Sequence, residues 1–170
     1  GILYFRLKRE NRELGLKVTS TLFVPFSSDT LEVMVFSVEN VSKKKTVSYA
    51  PYFSMPVYGR SADNLRDHRH VTTLLNRFIP NRHGVWMKPT MKFDEKGHRV
   101  NSTIYSVMGC TEKGSPPEDM ICLMEDFIGS GSQDRPDWIF SEKPVKKTKV
   151  SPDGKEAVAA LRFPRKELRP

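Results

Sequence analysis

Cysteine is scarce in this chain, with Cys110 and Cys122 the only two. They form no CxxC pair and have no metal-ligand spacing to the histidines, which argues against a zinc site or a disulfide-dense scaffold. The simpler reading is two free, buried thiols in a reducing, cytoplasmic setting. No apolar run reaches the roughly 18 residues that a membrane span needs. The opening stretch GILYFRLKRENRELG has a short apolar head followed by charge, unlike a signal peptide. A P-loop and a GxGxxG fingerprint are both missing, so no nucleotide cradle is visible. No Ser-His-Asp order or nucleophile elbow stands out, and no acidic residues are bracketed as a general-acid pair. Internal repeats and a long helical period are absent too.

What is present is a run of short apolar segments separated by turn signals. The 170 residues suit one domain, and a β-sandwich reaches that length easily. Period-two alternation marks strands over residues 2–9, 16–26 and 31–41. The last of these, LEVMVFSVENV, carries apolar residues on both faces and is expected deep in a sandwich. Asn40, Ser42 and Lys43, Lys44 and Lys45 then form a solvated turn. The aromatic stretch 46–58 is broken by Pro51 and Pro56, which points to bulges or an edge. Further strands are expected over 70–78, 84–92, 102–109 and 157–163, with a polar hairpin turn at 94–99. Met120, Ile121, Leu123, Met124, Phe127 and Ile128 fit one or two helical turns or a short strand. The Gly-Ser run 129–132 reads as a flexible loop. The expected fold is all-β: an antiparallel β-sandwich spanning residues 1–170 as a single domain, with room for one short helix near residues 118–128.

The formal net charge of +8 suits an anionic partner or simply a soluble surface. The densest charge lies in NLRDHRHVTTLLNR, residues 64–77. Arginine forks bind phosphate or carboxylate, and a nearby carboxylate can hold an arginine or orient a sugar hydroxyl. An extended backbone puts Arg66, His68 and His70 on one face and Asp67 and Arg69 on the other. His68 and His70 lack a third ligand for a metal. The bland alternative is a charged loop whose arginines pair with Asp63 and Asp67. Nucleic-acid binding draws little support: the basic residues are spread over several loops, without an RNP-like, zinc-finger or recognition-helix pattern.

A family resemblance adds to these readings. The stretch 20–59 carries Phe23-Val24-Pro25, Asp29, Glu32-Val33, Asn40, Ser42, Lys43, Lys44, Lys45 and Ser48-Tyr49. In that order these motifs resemble the N-terminal super-sandwich domain of glycoside hydrolase family 94, the cellobiose, chitobiose and laminaribiose phosphorylases. Residues 58–78 resemble the segment that follows in some members. DFIGSGSQDRP resembles a later F.G.GR…P segment, with Ser132 standing where arginine is common. The resemblance covers most of residues 14–163.

The resemblance implies a super-sandwich that is non-catalytic by itself, part of a longer enzyme. In the family an aspartate on a helical (α/α)-barrel protonates the glycosidic oxygen, and inorganic phosphate, a co-substrate, attacks the anomeric carbon with inversion. No cofactor or metal is implied. The barrel of the same parent chain, an oligosaccharide and a second subunit in a homodimer are the implied partners, and no membrane. On this basis Arg66, Asp67, His68, Arg69 and His70 are expected near the substrate entrance. Tyr58 and Trp86 are candidates for stacking on a sugar ring, with core packing as the alternative. Two rivals from other classes remain: a free-standing carbohydrate-binding β-sandwich, marked by an exposed row of aromatics, and a basic nucleic-acid-binding domain, marked by steep salt dependence.

Overall fold

The structure, a computed structural model, describes residues 4–57, 73–94, 97–141 and 151–170. The chain is all-β, built of antiparallel sheets with a few short helices. It divides into two compact units: Gly1–Ala50 with Arg165–Pro170, and Pro51–Pro164.

The first unit holds a three-stranded meander, β1 (Tyr4–Asn11), β2 (Leu16–Phe23) and β3 (Val33–Asn40). The pairing is regular from Tyr4↔Phe23 to Asn11↔Leu16, and from Leu16↔Asn40 to Phe23↔Val33. Because side chains alternate across a strand, directly paired residues share a face. One face therefore carries the ladder Glu10, Lys17 and Glu39, closed by a 2.7 Å Lys17–Glu39 ion pair. The same face carries Arg6, which donates from Nε to Thr21 Oγ1 at 3.3 Å. The opposite face carries Phe5, Leu7, Leu22, Met34 and Phe36. Val35 and Phe36 are 47% and 51% exposed, so β3 is not the deeply buried strand expected from its composition. Its alternation is intact; what differs is that Met34, Val35 and Phe36 are exposed and Val33 and Val38 only half-buried.

The turn after β3 is built by side chains. Asn40 Nδ2 donates to the carbonyls of Lys45 and Leu168, each at 2.8 Å. Its Oδ1 accepts the Ser42 N–H at 2.8 Å. Ser42 Oγ in turn accepts the Lys45 N–H at 3.1 Å. The aromatic stretch that reads as one strand is two: β4 (Val47–Tyr49) in this unit and β5 (Tyr52–Pro56) in the other, with Pro51 between them. Proline has no N–H for a ladder, so the strand stops where one is needed. β4 pairs with β13 (Lys166–Leu168), the last strand of the chain.

Tyr49 sits opposite Lys166 in that pairing, and burial raises its phenol above the ordinary value of 10.0. An unfolded chain then loses this proton first as pH rises. The stability linked to Tyr49 is accordingly present below pH 10 and lost above it. In an alkaline titration of tyrosinate absorbance, subtracting a Tyr49→Phe trace should isolate a component that ionises above that pH. A component rising with ordinary tyrosines would contradict the burial.

The second unit is layered. One sheet has the order β10 (Tyr105–Met108), β7 (Gly84–Pro89), β6 (Asn76–Asn81). The other has the order β11 (Asp119–Leu123), β12 (Ala157–Arg162), β5. The 94–99 segment falls within a nested hairpin of β8 (Met91–Asp94) and β9 (Gly97–Val100), so most of it is strand rather than turn. Phe78, Val85 and Met87 from the first sheet meet Ala157 and Ala159 from the second, making a sandwich core. On the far side of β12, Val158 and Ala160 join a second core with Ile121, Met124, Phe127 and Trp138. Both faces of β12 are thus buried, which explains its unbroken small-apolar sequence AVAAL.

That second core is closed by two short helices, α1 (Met124–Ile128) and α2 (Asp137–Phe140). α1 lies at the end of the 118–128 stretch where a short helix was expected. Met124, Phe127 and Ile128 follow helical spacing and turn one stripe inward. Trp138 of α2 meets Tyr52 edge-on at 5.5 Å between ring centroids.

Candidate functional site

Arg66, Asp67, His68, Arg69 and His70 lie outside the described residues, as does Tyr58. Trp86 is described: it is half-buried on the outer face of its sheet and donates from Nε1 to Met108 Sδ at 3.4 Å. Its neighbours in the pairing are Ile79 and Ser106, so it belongs to no aromatic row there. Cys110 is exposed rather than buried, and Cys122 is half-buried. Among the described residues no group of three His, Cys, Asp or Glu could hold a metal. No helix among them is long and apolar enough to cross a membrane.

The described residues do form a cleft where α1 hands over to α2. The cleft has a volume of about 320 Å³ and is lined by Gly131, Ser132, Arg135, Asp137 and Phe140. Its rim is the Gly-Ser run, which the sequence suggests is a flexible loop. Instead it is tightly bonded. Gly129 ends α1 with φ of 59°, a conformation that glycine adopts without steric cost. The Gly131 N–H donates to Ile128 O at 3.0 Å. Ser132 and Arg135 exchange backbone bonds in both directions at 3.2 Å. Ser132 Oγ accepts the Arg135 N–H at 3.1 Å as well.

Asp137 locks this rim to α2. Its Oδ2 accepts the Ser130 N–H at 2.8 Å. A Cβ on Gly129 would stand 2.7 Å from the same oxygen, and one on Gly131 would stand 2.3 Å from the Arg135 carbonyl. Glycine at both positions is what lets the carboxylate and the returning chain approach so closely. Arg135 rests its guanidinium over Phe140, 5.7 Å from the ring centroid, and Phe140 is 56% exposed. The cleft therefore presents one cation, one carboxylate, a hydroxyl and an apolar ring.

Sequence reasoning did not single out Arg135, Asp137 and Phe140. A signal was available in the Pro136-Asp137 pair, since proline before an acidic first-turn residue marks a helix start. That start fixes where Asp137 points back to the loop. No family model matches this chain, and no curated protein matches it either.

Proposed function

We propose that the chain is a non-catalytic β-sandwich portion of an inverting glycoside phosphorylase, an enzyme that converts a disaccharide and phosphate into a sugar 1-phosphate and a free sugar. The observation that carries this reading is the ordered motif set from Phe23-Val24-Pro25 to Ser48-Tyr49. The all-β antiparallel fold agrees with it. Asn40 and Ser42, two members of the set, build the turn that leads towards β4, so their spacing has a structural reason in this chain. On this reading the chemistry belongs to a helical barrel of the same parent protein. The sandwich supports that barrel and a homodimer, and residues 66–70 stand near the sugar entrance.

The test uses the full-length product of the parent gene with cellobiose, laminaribiose and chitobiose, each with inorganic phosphate. Phosphate-dependent release of a sugar 1-phosphate from one of them is the expected result. Arg69→Ala should lower that release while leaving the circular dichroism spectrum unchanged. Equal release by the variant would withdraw residues 66–70 from the substrate. No phosphate-dependent release from any of the three sugars would overturn the phosphorylase reading.

A further inference from the structure

We propose that the cleft lined by Ser132, Arg135, Asp137 and Phe140 binds a neutral polyhydroxylated ligand, a sugar ring of an oligosaccharide. This goes beyond the phosphorylase reading, because it assigns a binding role to the described unit itself and needs no catalytic barrel.

The chemistry of the lining selects the ligand class. A sugar hydroxyl both donates and accepts, so a site for neighbouring hydroxyls needs donors and acceptors side by side. Arg135 supplies donors. Asp137 supplies acceptor capacity beyond the one bond its Oδ2 takes from Ser130. The Ser132 hydroxyl accepts the Arg135 N–H and keeps its own proton to donate. A phosphate or carboxylate ligand would find Arg135 but would also meet the charge of Asp137 in the same small cleft. A cation would find one carboxylate opposed by a guanidinium. A neutral polyol suffers neither repulsion. Phe140 adds an apolar wall: Arg135 covers one face of its ring, and the residue remains 56% exposed. Sugar C–H faces pack on such rings, as apolar surface generally does.

The cleft is also pre-organised. The reciprocal Ser132–Arg135 bonds and the Asp137–Ser130 bond hold the rim before any ligand arrives. Binding then orders few groups, which favours affinity in an open site.

The test is an amide chemical-shift titration of the 170-residue chain with glucose, cellotetraose, laminaritetraose and inorganic phosphate. Saturable shifts at Ser130, Gly131 and Ser132 with at least one sugar are expected, and none of that size with phosphate. Binding of tetrasaccharide but not glucose would identify the ligand as a chain; comparable binding of both would identify a single ring as sufficient. Arg135→Ala should weaken binding by about tenfold or more, as expected for loss of hydrogen bonds from a charged group. Phe140→Ala should weaken it with the Asp137 rim unchanged, a second check if the arginine variant alters the loop. Absence of saturable shifts with every sugar overturns the proposal, and so does tighter binding of phosphate than of sugar. Phosphorolysis by the parent protein without cleft binding would overturn this inference alone; cleft binding without phosphorolysis would overturn the enzyme reading alone.

Discussion

Val158→Asp is expected to unfold the Pro51–Pro164 unit at neutral pH. Val158 is 1% exposed on the central strand β12, on the side sealed by α1 and α2. A carboxylate there finds no donor on Ile121, Met124 or Phe127 and no cation in this core. It must either be buried charged or take up a proton, and both are costly. The expected loss is about 4 kcal/mol or more, a large fraction of the roughly 5–15 kcal/mol that stabilises a typical domain. The new carboxyl would have a folded pKa raised above its unfolded value of about 3.9. The deficit should therefore be smallest below about pH 4 and should grow as pH rises. Val158→Ala, which leaves a small cavity without charge, should cost about 1–3 kcal/mol and keep a cooperative melt. Thermal melts followed by far-ultraviolet circular dichroism separate the two. An aspartate variant that melts like the parent would mean that the helices do not seal this face.

Asn40→Ala is expected to release β13 from β4. The side chain makes three bonds of 2.8 Å, to Lys45, Leu168 and Ser42. Each contributes roughly 0.5–1.5 kcal/mol net, so their joint loss should cost about 2–4 kcal/mol. Little else compensates. The side chains of the meander are largely exposed or half-exposed, and the hydrophobic clusters draw on the other unit. Hydrogen exchange should show lost protection at residues 166–168 and 42–49, with residues 157–162 unchanged. Asn40→Asp makes the test sharper. It retains an oxygen for the Ser42 N–H but has no donor for Lys45 or Leu168, so the Ser42 half of the turn should survive while β13 frays. Full protection of Leu168 in that variant would show that the strand pairing alone holds it.

The strands were the most legible part of the sequence, because their signal is local. Period-two alternation marked β1 and β2, and apolar runs between turn signals marked β7 and β12, near their observed bounds. Whether a strand is buried is decided by what lies opposite, which no local pattern contains. VMVF on β3 and AVAAL on β12 are both rich in apolar residues, yet one is largely exposed and the other is buried on both faces. The cleft was hidden for a related reason. Gly129 to Ser132 has the composition of a loose linker, and its order comes from Asp137, five residues beyond Ser132. The turn at Asn40 and Ser42 was legible as a turn, since those side chains bond to nearby backbone. Its bond to Leu168, 128 residues away, was not.

That last bond has a consequence for the order in which the chain can fold during synthesis. The unit formed by Gly1–Ala50 and Arg165–Pro170 is discontinuous, while Pro51–Pro164 is one uninterrupted stretch. A ribosome delivers the first three strands early, but β13 and Leu168 emerge only after everything between. The meander must therefore wait with its Asn40 amide lacking one carbonyl. The later stretch has all its own strands in hand by residue 162 and can settle first. Closing a long loop costs entropy that grows only slowly with length. A folded insert shortens the effective search further by holding its two ends in a fixed relation. Assembly of the unit that begins the chain is in this way contingent on residues 165–170, which follow the whole intervening stretch.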